Sequence, residues 1–281
     1  MKVSIKAGLV AAIAFAGFAV TGSTLADEGL PEGVTAVKAT PPSKDHPLDE
    51  ILSGWTFRTP ETQALQQDDF ENPGYLWVER GEALWSEVDG SAGKACASCH
   101  NDAADSMKGV GAEMPKWDAK LNRPLTMEQR INNCRTENMG AKEWKWESTQ
   151  MLSMTSYVRN QSRGMPVNVQ ADGPMASWVA KGKEVYYTRV GQLDMSCANC
   201  HEANYGKYIR ADFLSQGHSN GFPTYRLKWQ KIGSLHRRFK GCMKNIRATP
   251  YKVGGDEFVA LEVYLAQRGK GLQVEAPAVR N

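Results

Sequence analysis

Six cysteines carry the chemistry of this 281-residue chain, and four of them come in two tight pairs. Cys96-Ala97-Ser98-Cys99-His100 and Cys197-Ala198-Asn199-Cys200-His201 each hold two thiols three positions apart with a histidine directly after. That is the C-x-x-C-H pattern of c-type haem attachment. Two thiols at this spacing add across the two vinyl groups of one porphyrin, and the adjacent histidine reaches the iron as proximal ligand. A zinc site or a redox-active dithiol draws on the same residue types, but two intact copies favour two covalently bound haems c. Cys96, Cys99, Cys197 and Cys200 are the expected attachment points, and His100 and His201 the expected iron ligands.

The sixth position on each iron separates electron transfer from catalysis. Methionine fills it in many electron carriers. Met139, Met151 or Met154 are candidates in the first half of the chain, and Met195 or Met243 in the second. With 11 methionines, most serve as core filler. His46, His218 and His236 are further candidates. Cys134 and Cys242 stand alone in equivalent places, so they are either thiolate ligands or partners in one disulfide, which is ordinary in an oxidising compartment.

The equivalence rests on a repeat. Gly81 and Gly182 each lie 15 positions before the first cysteine of a pair. Arg130 and Arg238 each lie four positions before a lone cysteine. Tyr157 follows Cys134 by 23 residues, Tyr264 follows Cys242 by 22, and Val167 and Val274 follow the tyrosines by ten. The elements that position the cysteines then read as helices. Residues 77–88 and 179–189 have helical spacing and lead toward the pairs, and 145–160 matches a helix that starts near Gly254-Gly255-Asp256, with Phe258, Leu261 and Leu265 on one face. Little alternates as strand. The expected fold is mainly α: two tandem cytochrome c-like domains related by internal duplication, with long loops and a covalent haem in each, over residues 71–170 and 171–281. Such loop-rich domains have thin cores that a haem would complete.

Residues 1–26 read as an export signal, with Lys2 and Lys6 before an apolar run at 7–20 and small residues at Thr24 and Ala26. The run is short for a membrane span, and no later segment is apolar enough for one. Without the signal, 32 basic residues stand against 31 acidic ones, so charge arguments must be local. Residues 27–70 are a polar extension, readable as a flexible arm or as a strap for a partner subunit. Around Cys242 the balance changes: no acidic residue lies between Asp212 and Asp256, while Arg226, Lys228, Lys231, Arg237, Arg238, Lys240, Lys244, Arg247 and Lys252 do. Export argues against nucleic acid as the partner. A positive pocket lowers a thiol pKa and attracts anions, and the Arg238 fork suits an oxyanion. A reactive sulfur working on a small anion follows.

With two C-x-x-C-H sites, a lone cysteine after each, and the run R-R-F-K-G-C-M-K-N-I-R-A-T-P-Y at Arg237–Tyr251, the chain resembles the SoxA family over nearly its whole mature length. SoxA is the dihaem subunit of the SoxAX cytochrome of bacterial thiosulfate oxidation. The resemblance implies His100 and Cys134 as ligands of the first haem and His201 and Cys242 as ligands of the second. It further implies Cys242 as a catalytic cysteine persulfide, with Arg238 beside it. The implied L-cysteine S-thiosulfotransferase reaction couples thiosulfate to a cysteine of the SoxYZ carrier, and two electrons leave through haem to a cytochrome c acceptor. The implied partner is SoxX, a monohaem cytochrome in a heterodimer, and the implied location is the periplasm. A plain dihaem electron carrier and a dihaem peroxidase are the competing readings.

Overall fold

The computed structural model describes residues 37–281; the export signal and the start of the extension lie outside the described residues. Residues 37–70 open with β1 (Lys38–Ala39) antiparallel to β2 (Ile51–Leu52), then α1 (Pro60–Gln67). Pro60 occupies the first helical turn, where a missing N–H costs nothing, and the Thr59 hydroxyl accepts from Thr62 N. This stretch is no free arm. Ile51, Leu52, Trp55 and Phe57 are buried. Leu52 N donates to Gln216 Oε1 at 2.7 Å, and Arg58 Nη2 donates to Phe213 O at 2.5 Å. The extension is thus bound to the second half of its own chain.

The first half follows as α2 (Tyr75–Ser86), α3 (Ala97–His100), α4 (Ala103–Ser106), the hairpin β3 (Lys116–Asp118) with β4 (Arg123–Leu125), α5 (Met127–Asn138) and α6 (Thr149–Asn160). The second half has α7 (Ala176–Tyr187), α8 (Cys197–His201), the hairpin β5 (Tyr208–Ile209) with β6 (Asp212–Phe213), then β7 (Thr224–Arg226), β8 (Lys231–Gly233), α9 (Leu235–Asn245), α10 (Asp256–Arg268) and β9 (Ala278–Arg280). β7 is central in a three-stranded sheet, antiparallel to β8 and parallel to β9. The described strands are two or three residues long, too short to show alternation in sequence. The expected helix at 145–160 begins only at Thr149, because the Ser148 side chain caps it by accepting from Met151 N.

Each half is built on one tight helix crossing, α2 on α6 and α7 on α10. The crossings explain the first shared landmark. A Cβ on Gly81 would lie 2.3 Å from Ser153 O and 2.5 Å from Tyr157 Cβ; on Gly182 it would lie 2.0 Å from Ala260 O and 2.7 Å from Tyr264 Cβ. Glycine and tyrosine therefore recur together because they touch. The last landmark closes the molecule: Gly164 N donates to Val274 O, Val274 N to Met165 O, Val167 N to Leu272 O and Gly271 N to Val167 O. Val167, Val169, Val263 and Val274 form the apolar cluster at this antiparallel joint.

Candidate functional site

Each C-x-x-C-H pentapeptide sits on a single helical turn, α3 or α8, just after a tight loop. The loop is docked on the far end of the helix that carries the lone cysteine. Ser91 N and Ala92 N donate to Gly140 O and Met139 O after α5; Gln192 N and Leu193 N donate to Arg247 O and Ile246 O after α9. Gly90 and Gly191 have φ of +74° and +75°, and a Cβ would lie within 2.4 Å of the Met139 or Ile246 carbonyl. Only glycine serves there. The docking fixes the pentapeptide against Cys134 in one half and against Cys242 in the other. These glycines are a further shared landmark, visible only once both loops are aligned.

In the first half, His100 stands with its ring centroid 5.8 Å from that of Trp85. Cys134 lies close enough to Cys96 to disfavour a second thiolate there; burial foremost, and then this neighbour, push the Cys96 thiol up to about 11. A cavity of about 480 Å³ opens at Cys96, walled by Leu84, Met139 and Trp144 among others. The two arginines nearest Cys134 along α5 are paired: Arg130 Nη1 is 2.7 Å from Asp118 Oδ2, and buried Arg135 is 2.7 Å from Asp89 and 3.7 Å over the Trp144 ring.

In the second half, the His201 Nδ1 is 2.7 Å from Ser215 O, and Gly217 packs so closely that a Cβ would lie 2.7 Å from His201 Cγ. Donation from Nδ1 leaves Nε2 as the metal-binding nitrogen. The imidazole faces Cys242 within hydrogen-bond reach. Burial pushes the Cys242 thiol up, but Arg238 foremost, His201 and Arg226 outweigh it and bring the thiol down to about 7. Cys197 rises to about 12, first through burial and then through Cys242 nearby. Arg226 donates to Asn281 O at 2.6 Å and lies 3.4 Å from Asp212 Oδ1. Arg58 adds a second buried guanidinium beside β6. The Arg238 side chain, half-buried, forms no ion pair or hydrogen bond among the described residues, and its charge bears on Cys242 and Asp212.

No disulfide joins any of the six cysteines, and Cys134 and Cys242 lie on separate helices in separate halves. His46 is held at Leu48 O and Arg268 O, His218 at Gln216 and His236 at Glu262. Met151 and Met154 are core, while Met139 lines the first cavity. Paired thiols on one helical turn, the adjacent histidine, a lone thiol nearby and, in the first half, a cavity of mixed polar and apolar walls at Cys96 fit a covalently held porphyrin. Sequence reading found the thiols, histidines and Arg238. Arg226 had been singled out only as part of the basic run; Ser215, Gly217, Asp118 and Arg58 were missed, because they come from loops or hairpins outside the motifs, and the signal for Arg58 was masked by its polar, aperiodic surroundings.

Comparison with known proteins agrees with this geometry. The family described as SoxA/TsdA, cytochrome c domain, matches residues 80–167 and again 181–274. The L-cysteine S-thiosulfotransferase subunit SoxA of Pseudaminobacter salicylatoxidans is 51% identical over 264 residues, covering 94% of this chain and 92% of that protein. The SoxA subunit of Rhodovulum sulfidophilum is 50% identical over 99% of this chain and 97% of its own. The crystal structure of SoxXA from P. pantotrophus superposes with a TM-score of 0.84 at 49% identity, covering 88% of this chain and 94% of that one. A cytochrome c domain matched twice, with relatives at half identity along the whole chain, means that this protein belongs to the SoxA family.

Proposed function

We propose that this chain is the subunit that oxidatively couples thiosulfate to a carrier-protein cysteine, using two covalently bound haems c in duplicated cytochrome c-like domains. The observation that carries the reading is the difference between the two lone cysteines. Arg130, before Cys134, is tied to Asp118 at 2.7 Å, whereas Arg238, before Cys242, forms no salt bridge among the described residues and acts on the Cys242 thiol instead. Two ligand-supplying halves of the same construction thus differ where an anion would bind.

The roles follow from the residues. Cys96, Cys99 and His100, together with Cys134, would hold the first haem; Cys197, Cys200 and His201, together with Cys242, would hold the second. When bound, haem supplies the electron sink that joining two sulfurs requires. Joining the outer sulfur of thiosulfate to a thiol makes one S–S bond and releases one proton and two electrons. Arg238 holds the sulfonate end of the dianion, with Arg226 and Arg58 adding to the positive field behind it. Cys242 carries the reacting sulfur, as a persulfide whose outer atom reaches the substrate. Relatives named as thiosulfotransferase subunits and the SoxXA complex support SoxX as the partner subunit. SoxYZ as the carrier and a cytochrome c as the acceptor complete the reading. The lysines and apolar run of residues 1–20 support delivery to the periplasm.

Mass spectrometry of protein matured in the periplasm tests this. Two haems, loss of residues 1–26 and one extra sulfur on the Cys242 peptide are expected. An unmodified Cys242 thiol in protein with full thiosulfate turnover would return the chain to a plain electron carrier.

A further inference from the structure

A buried ionic cluster lies between the two halves, and the chemistry above does not use it. Six positions before Cys134 on α5 stands Glu128; six before Cys242 on α9 stands His236. The two helices are capped alike, by Thr126 and Ser234, so these are corresponding positions that meet across the joint. Arg159 from α6 and Glu262 from α10 complete the group. All four are at least nine-tenths buried: Glu128 6%, His236 1%, Arg159 8% and Glu262 8% exposed.

The geometry leaves the cluster one proton short. Gly254 N donates to His236 Nδ1 at 3.1 Å, so the ring takes the tautomer protonated at Nε2 and is neutral. That Nε2 lies 3.1 Å from Glu262 Oε2, off the line of a good hydrogen bond. Trp146 stacks on the same ring at 4.7 Å, and Phe239 and Phe258 cover it. Two carboxylates then face one guanidinium in an apolar setting. Burial foremost, and then Glu262, raise the Glu128 carboxyl to about 7. A cavity of about 20 Å³, lined by Glu128, Thr155, Arg159 and Glu262, has room for one water; Thr155 Oγ1 and Arg159 Nε are buried without partners beside it. Charged residues on the adjoining elements form pairs of their own: Arg123 with Asp256, and Arg237 with Glu147.

We propose that Glu128 and Glu262 share one exchangeable proton through a buried water, and that this proton is taken up when a haem is reduced and given up when it is oxidised. Six helical residues place the cluster about 9 Å along α5 and α9 from each lone cysteine. The inference rests on Cys134 and Cys242 as haem ligands, as proposed above. An electron arriving at either iron lowers the local positive charge and strengthens proton binding at the pair; one electron and one proton enter together from solvent and donor. Two interacting carboxyls titrate as a unit, so the proton belongs to the pair.

The test is spectroelectrochemical titration of the complete dihaem protein. The potential of at least one haem falls as pH rises through neutrality, and the reduced-minus-oxidised infrared difference spectrum shows a protonated carboxyl band that shifts in D₂O. Glu128→Gln and Glu262→Gln each flatten the slope and remove the band, while Glu113→Gln, at a surface carboxylate paired with Lys116, changes neither. A native protein with both haems in place and a pH-independent potential would overturn the shared proton while leaving the ligation intact. This arm needs no variant to fold. Loss of a haem from the native protein's mass would overturn both.

Discussion

Arg130 and Arg238 occupy the same place relative to Cys134 and Cys242, yet among the described residues only the first forms a salt bridge. A charged donor to an anion contributes about 1.5–3 kcal/mol. Arg238→Leu should therefore raise KM for thiosulfate roughly ten- to a hundredfold, with both haems still attached; Arg130→Leu should leave KM unchanged. Steady-state kinetics with a cytochrome acceptor decide it. Cys242→Ala should abolish thiosulfate-dependent electron transfer while the protein stays reducible by dithionite. The thiols, the histidines and Arg238 were legible in the sequence because covalent attachment and one helical turn demand near neighbours in the chain. Asp118, Ser215 and Gly217 were not, since a hairpin or a loop brings them in from elsewhere and no local pattern marks them.

Among the elements, the crossings of α2 on α6 and α7 on α10 admit no side chain at Gly81 or Gly182. Gly182→Ala should cost about 1–3 kcal/mol or more by forcing the backbones apart, read as a lower urea midpoint. Helix positions were readable from spacing, but the three-stranded sheet was hidden because strands of three residues carry no period. α5 and α9 also carry a pH dependence. Burial raises the Glu128 carboxyl above its value in the unfolded chain, so the folded state binds a proton that the unfolded state releases earlier. Stability then falls as pH rises from the ordinary carboxylate range toward about 7. Urea midpoints at pH 5 and pH 8 should lie closer together in Glu128→Gln than in the native chain.

At the scale of the molecule, the extension expected to be an arm or a strap is part of the second half's wall. Its polar letters concealed Ile51, Leu52, Trp55 and Phe57, each worth about 1.5–3 kcal/mol when buried. A chain starting at Thr59 should unfold well below the full protein, and it would also lose the Arg58 guanidinium. The two halves should melt in a single transition, since the Val167–Val274 joint and the Glu128–His236 cluster both span them. That joint is reciprocal: residues 164–167 of one half and 271–274 of the other exchange backbone hydrogen bonds. Each half presents to its neighbour the segment its neighbour presents to it, which is the isologous contact of a symmetric dimer. The exposed connection around residues 172–174 then sets an effective concentration rather than a shape. A protease that nicked it would leave two fragments travelling together through gel filtration, a dimer that happens to be encoded as one chain.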